Sequence, residues 1–238
     1  MERQDFIKDG YNYEYYLIRK SIKNVRMTVD SDMKIIVSAP TYVSKRKIES
    51  FIHQNKAFID KNISKRQGVL EHHNIKEFKT GEYFLLLGEK TRIVSKKFFE
   101  NKVFIEDDAL FILLEENTFE ERKKQFERFI KNTAKKLFNE MLDEKYPYFS
   151  DKIKQKPKIT IRKMKTKWGS TNPSKNKITL NTTLLYAPKN LIEYVIIHEL
   201  CHFYHLNHSK EYYNFLYKVM PDFKERRKAL RSKYGFLI

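Results

Sequence analysis

Two histidines and one glutamate stand at a spacing that supports metal-assisted hydrolysis. The segment from His198 to His202 reads H-E-x-x-H, and its glutamate is Glu199. On an α-helix, His198 and His202 lie on one face about 6 Å apart, so that both imidazoles can reach one zinc ion. Glu199 then lies beside the metal and can take a proton from a bound water. The motif therefore predicts zinc-dependent hydrolysis with Glu199 as the general base.

A third ligand is needed, and both His205 and His208 follow closely. On a continuous helix His205 lies about 10.5 Å along the axis from His198, too far for both to bind one ion at about 2.1 Å. His208 can join the pair if the chain turns, and Asn207 could end the helix in the left-handed conformation. We therefore predict that the metal ligands are His198, His202 and His208.

The alternative third ligand is a carboxylate on the following helix. Glu211 and Glu225 are both available there, and two-His-plus-Glu sites occur in hydrolytic zinc enzymes. Ser209 can cap the start of that helix, which favours a turn just before it. The spacing H-E-x-x-H-x5-H equals the metzincin pattern, although His205 stands where metzincins have glycine.

The ligand helix is predicted to be buried. The residues from Leu191 to Ile197 are mostly apolar, and Pro188 precedes them at a position where helices tolerate proline. We expect this helix to run from Leu191 to about Leu206 and to hold the ligands rigidly.

The surrounding pattern predicts an α+β protein. Period-two alternation and turn residues predict strands, whereas apolar residues three and four apart predict helices. Strands are expected over 11–22, 24–39, 81–88, 90–95, 102–105, 110–114, 158–167 and 177–181. Helices are expected over 44–65, 118–144 and 209–233, with Pro221 breaking the last one, and 168–174 is expected to be a loop.

We expect two regions that pack together. Residues 1–116 form a β-rich α+β region with a covering helix, and residues 117–238 form a zincin-like domain with the H-E-x-x-H helix and a short antiparallel sheet. The sequence contains no internal repeat that we can identify.

Composition predicts a cytoplasmic protein without a membrane anchor. Cys201 is the single cysteine, which excludes an intrachain disulfide, and the N-terminus leads into no apolar run. The net charge is +18, and basic residues concentrate in 151–177 and 224–233. These two segments could bind nucleic acid or a nucleotide, or could be a solvated basic face without a ligand. The oligomeric state is not predicted.

Several further motifs carry a family resemblance. They are R-M-T-V at 26–29, V-S-A-P at 37–40, K-T-K-W-G-S at 165–170, I-T-L-N at 178–181, Y-V-I-I-H-E-L-C-H at 194–202, N-H-S at 207–209 and M-P-D at 220–222. With these motifs the chain resembles the YgjP-like metallopeptidase family, zincin-type proteins related in motif to the SprT and WLM metallopeptidases. The resemblance implies the same three zinc ligands and the same catalytic glutamate. Thr171 departs from it, because the family commonly has cysteine there, and a thiol role cannot apply.

Other features of the site stay open at this level. Trp168 to Ser170 could line the substrate cleft beside an edge strand, or Trp168 could be a core anchor followed by a turn. The residues considered as oxyanion donors are Tyr204, His205, Tyr212 and Tyr213.

Three functions compete. The first is a zinc peptidase acting on a peptide or protein substrate. The second keeps the metal but acts on nucleotides, or on proteins bound to nucleic acid, through the basic segments. The third is a zinc-stabilised binding module without catalysis.

Overall fold

The computed structural model describes residues 2–30, 33–70 and 75–237. The chain divides into two compact units, residues 1–71 and 72–238. Helices and strands occur in both, which confirms the α+β class. The expected boundary at 116/117 lies inside the second unit, between a strand and a long helix, and the functional division at that point stays a prediction. Within the described ranges, no helix combines the length and hydropathy needed to cross a lipid bilayer.

The first unit is a four-stranded sheet with two helices. Its elements are β1 (Glu2–Lys8), β2 (Tyr11–Arg19), β3 (Arg26–Val29), β4 (Ile35–Ala39), α1 (Lys45–Gln54) and α2 (Lys56–Leu70), and the strand order is β1-β2-β4-β3. Alternate residues of β2, including Tyr15, are buried against α1 residues such as Ile48 and Ile52. Strands and a covering helix were predicted here, but β1 was missed.

The second unit contains two sheets and the remaining helices. Its elements are β5 (Tyr83–Leu86), β6 (Glu89–Lys97), β7 (Lys102–Glu106), β8 (Ala109–Leu114), α3 (Phe119–Lys145), β9 (Lys158–Arg162), β10 (Gly169–Asn172), β11 (Lys177–Asn181), α4 (Lys189–Cys201), α5 (Lys210–Val219) and α6 (Phe223–Ala229). Strands β5 to β8 repeat the topology of the first unit, with the order β5-β6-β8-β7. Pro221 separates α5 from α6, as predicted.

The small sheet beside α4 differs from the prediction in two ways. Its order is β10-β11-β9, and it is mixed, because β10 pairs antiparallel with β11 while β9 pairs parallel with it. Strand β10 also lies within the segment predicted to be a loop. Glycine and asparagine at its ends disfavour a strand, whereas pairing with β11 provides the backbone hydrogen bonds.

Helix α4 is the centre of the second unit. It packs against α3, α5, α6 and β10, and nine of its 13 residues are buried. Glu193 is the carboxylate of α4 that is not fully buried, and it forms ion pairs with Lys145 at 2.5 Å and with Arg226. These contacts tie α4 to α3 and α6, and they fix the helix that carries the H-E-x-x-H motif.

Candidate metal centre

The three predicted ligands meet at one point. His198 lies in the last turn of α4, His202 directly follows the helix, and His208 lies in the loop before α5. One ligand nitrogen from each lies within 4.8 Å of the others. The Nε2 atoms of His198 and His208 are 3.1 Å apart. The structure thus brings together the histidines that the spacing selected.

The turn that brings His208 in differs from the predicted one. Helix α4 ends at Cys201 rather than near Leu206, because the backbone amides of residues 202–204 bond to carbonyls three residues back and tighten the last turn. Asn207 has no positive φ angle, so the predicted left-handed end is wrong. Ser209 does cap α5, since its hydroxyl accepts a hydrogen bond from the Tyr212 amide.

The competing ligands lie outside the cluster. The carbonyl of His205 is 3.1 Å from the Nδ1 atom of His202, and the His205 ring lies against Phe215. Glu211 and Glu225 are both exposed. Within the part of the chain that the structure describes, neither carboxylate belongs to the histidine group.

Hydrogen bonds on the far side of two rings set their tautomers. The Tyr212 hydroxyl lies 2.6 Å from His198 Nδ1 and 3.1 Å from the His198 carbonyl. A hydroxyl that donates to the carbonyl has lone pairs left to accept from the Nδ1–H group of His198. His202 Nδ1 must likewise donate to the His205 carbonyl, which can only accept. Both rings therefore keep the lone pair of Nε2 for a metal.

The protonation states also suit a metal. Burial lowers the pKa of His198 to about 3, and His202, His208 and Arg227 act in the same direction. Burial lowers the pKa of His202 and of His208 as well. Neutral imidazoles keep the lone pair that a metal needs. Three nitrogens bound at about 2.1 Å would be about 3.4 Å apart, which is close to the 3.1 Å between the Nε2 atoms of His198 and His208 and below the 4.8 Å limit of the whole group.

Glu199 is buried beside the cluster and pressed against β10. The Thr171 hydroxyl lies 2.6 Å from Glu199 Oε2 and 2.8 Å from the Glu199 carbonyl. A Cβ atom on Gly169 would come within 2.5 Å of Glu199 Oε1, so this approach requires glycine. Burial raises the pKa of Glu199 to about 7, while Thr171 and Lys167 oppose the shift.

A cleft opens over these groups. A cavity of about 430 Å³ is lined by Trp168, Gly169 and Ser170 together with His198 and Glu199. The segment 168–170 thus lines the cleft, Trp168 is half-buried, and Gly169 and Ser170 belong to β10 rather than to a turn. A second cavity beside it is lined by Tyr213, one of the four residues considered as oxyanion donors.

The sequence interpretation missed the supporting contacts of Gly169, Thr171 and Tyr212. Gly169 belongs to the W-G-S motif, and its position before a short strand is the signal that could have indicated a close backbone approach. Thr171 was noted as a departure from the family, without a contact to Glu199. Tyr212 was considered as an oxyanion donor, but its hydroxyl bonds to His198 on the side away from the cluster.

Comparison with known proteins finds a matching family and a distantly similar solved structure. No curated protein matches the sequence. The crystal structure of the metallopeptidase zymogen abylysin from Pyrococcus abyssi matches at 23% identity with a TM-score of 0.36, over 41% of this chain and 95% of abylysin. The model of the YgjP-like metallopeptidase domain matches residues 23–233. The match spans most of both compact units, and the chain therefore belongs to the YgjP-like metallopeptidase family.

Proposed function

We propose that this protein is a zinc-dependent peptidase, with His198, His202 and His208 as zinc ligands and Glu199 as the general base. The observation that carries the proposal is the group of three imidazoles within 4.8 Å of one another beside a buried glutamate. Zinc bound there would polarise the scissile carbonyl and make a bound water more acidic. Membership of a metallopeptidase family supports a peptide or protein substrate.

Glu199 has the properties of a base that later acts as an acid. A pKa of about 7 suits a carboxylate that accepts a proton at neutral pH and then donates it to the leaving amine. When Glu199 is ionised, the Thr171 hydroxyl can donate to Oε2. When Glu199 is protonated, Oε2–H can donate to Thr171, whose hydroxyl then donates to the Glu199 carbonyl. Thr171 can therefore hold Glu199 in one position through both states.

We expect the main chain of the substrate to bind along β10. This strand is at the edge of its sheet, and Gly169 and Ser170 line the cleft. An extended peptide added to such an edge forms main-chain hydrogen bonds that do not depend on its sequence. The scissile carbonyl would then lie near Glu199, which the same strand contacts.

The proposal is tested by assaying metal content and peptide cleavage on the same preparation. We expect about one zinc per chain and cleavage of an internally quenched peptide library, with new α-amines as products. A chelator should remove both zinc and cleavage, and one equivalent of zinc should restore both. Zinc-loaded protein that cleaves no member of the library and no unfolded protein would contradict the proposal.

Replacing Tyr212 with phenylalanine should weaken zinc binding about 10- to 100-fold, because the ring of His198 loses the partner of its Nδ1–H group. Zinc affinity is measured by competition with a chromophoric chelator. Tyr217→Phe is the matched control, since Tyr217 lies on the same helix and is 58% exposed. Equal zinc affinity in the two folded variants would show that Tyr212 does not position His198.

A further inference from the structure

The cleft at the metal centre has a second lobe. Two cavities of about 430 Å³ each share Trp168, His198 and His208 in their walls. The first lobe extends along β10 past Glu199. The second lobe extends from His208 towards Arg227 and Arg231, on α6 and just after it. A substrate bound at the histidines would therefore reach both lobes.

The side chains that line the two lobes carry mainly positive charge. Among the described residues that line them, Glu199 is the acidic one, whereas Lys167, Arg227 and Arg231 are cationic. Arg226 on the same helix pairs with Glu193 and Asp222. In contrast, Arg227 and Arg231 form no ion pair with any carboxylate in the described ranges. Both side chains are exposed, so that their guanidiniums are accessible to a bound group.

Arg227 also contacts Tyr213. One of its terminal nitrogens donates to the Tyr213 hydroxyl at 3.3 Å, and its guanidinium carbon lies 5.8 Å from the centre of the Tyr213 ring. A guanidinium has five N–H donors in a fixed plane, so most of its donors remain available. A donor set that is already oriented loses less entropy when it binds a planar carboxylate through two parallel hydrogen bonds.

We propose that Arg227 and Arg231 form an anion-binding subsite, here called the arginine subsite, that recognises an acidic side chain of the peptide substrate. The proposal rests on the peptidase function proposed above and adds a substrate class to it. The half-buried Trp168 and the buried Leu230 supply apolar walls for the methylene groups of an aspartate or glutamate. The two guanidiniums supply donors for its carboxylate.

The subsite can be tested by binding alone, in a variant that does not turn over. Trp168 is the single tryptophan of the chain and lines both lobes, so its fluorescence reports occupancy. The zinc-loaded Glu199→Gln protein is titrated with blocked alanine hexapeptides that carry one glutamate, glutamine or lysine at each position in turn. We expect a glutamate at one or two positions to bind about tenfold or more tightly than glutamine, and lysine to bind more weakly than glutamine.

Removing the charge of each arginine tests whether the arginine subsite causes the preference for glutamate over glutamine. Arg227→Gln and Arg231→Gln should each reduce the glutamate-to-glutamine ratio, and the double variant should bring it close to one. Lys228→Gln is the matched control, because Lys228 is an exposed cation on α6 that does not line either lobe. Its ratio should remain that of the parent protein.

Three outcomes would overturn the arginine subsite. They are a ratio near one in the parent protein, a ratio that survives both arginine replacements, and competition by inorganic phosphate or a nucleoside triphosphate at lower concentrations than the acidic peptide. The last outcome would assign the arginines to a phosphoryl group. If arginine-dependent binding of acidic peptides occurs while the wild-type protein cleaves none of them, the subsite stands and the peptidase function fails.

Discussion

Replacing Glu199 with glutamine should leave zinc bound and lower kcat/KM for peptide cleavage about 10²- to 10⁴-fold, the usual contribution of a positioned general base. Glutamine has nearly the same shape as glutamate and can still accept a hydrogen bond from Thr171, so the packing against β10 should persist. It cannot accept the proton of the attacking water. The fold and the metal are therefore kept while proton transfer is lost.

This result is measured as kcat/KM together with zinc content per chain. Glu225→Gln is the control, because Glu225 is exposed on α6 and lies outside the histidine cluster. A Glu199→Gln protein with full zinc and unchanged turnover would show that another group is the base. If Glu199→Gln changes neither zinc content nor partner affinity and no peptide is cleaved by the wild-type protein, a zinc-stabilised binding module is the correct function.

Replacing His208 with alanine should weaken zinc binding by more than about 100-fold, which exceeds the usual effect of removing a partner of a ligand. His208 places its Nε2 atom 3.1 Å from that of His198. Without it, two imidazoles remain near an exposed end of the cleft, and water must complete the coordination. Zinc should then be lost during dialysis, and peptide cleavage should be lost with it.

The matched comparison separates His208 from the carboxylates that compete with it. Glu211→Ala and Glu225→Ala should retain one zinc per chain, because both side chains are exposed and outside the cluster. Zinc content is measured by elemental analysis after identical dialysis, and circular dichroism verifies the fold. Zinc that is retained without His208 and lost without Glu225 would assign the third ligand to Glu225.

Local patterns predicted much of the fold. The apolar segment before His198 indicated a buried helix, and the 3,4 spacing from residue 118 indicated the helix that became α3. These predictions succeed because helix periodicity repeats within a few residues. The end of α4 was predicted about five residues too late, since backbone hydrogen bonds to carbonyls three residues back tighten its last turn and the ring of His202 contacts the His205 carbonyl. Helix ends are decided by such contacts rather than by periodicity.

Backbone pairing between strands accounts for two further differences from the prediction. Strand β10 was expected to be a loop because glycine, serine and asparagine are common turn residues, and its pairing with β11 makes it a strand. The common topology of the sheets β1 to β4 and β5 to β8 was also missed. Side chains that differ can satisfy the same backbone pairing, so a shared strand order need not leave a repeat in the sequence.

The sequence by itself determined the grouping of His198 and His202 with Glu199, and it favoured His208 over His205 as the third member. Those relations are local, because about 3.6 residues per helical turn dictate which side chains share a face. The tertiary structure alone decided what surrounds them. Thr171 reaches Glu199 across 28 residues of chain, and Arg227 enters the cleft from a later helix. Such contacts depend on how β10 and α6 pack on α4, which no local spacing specifies.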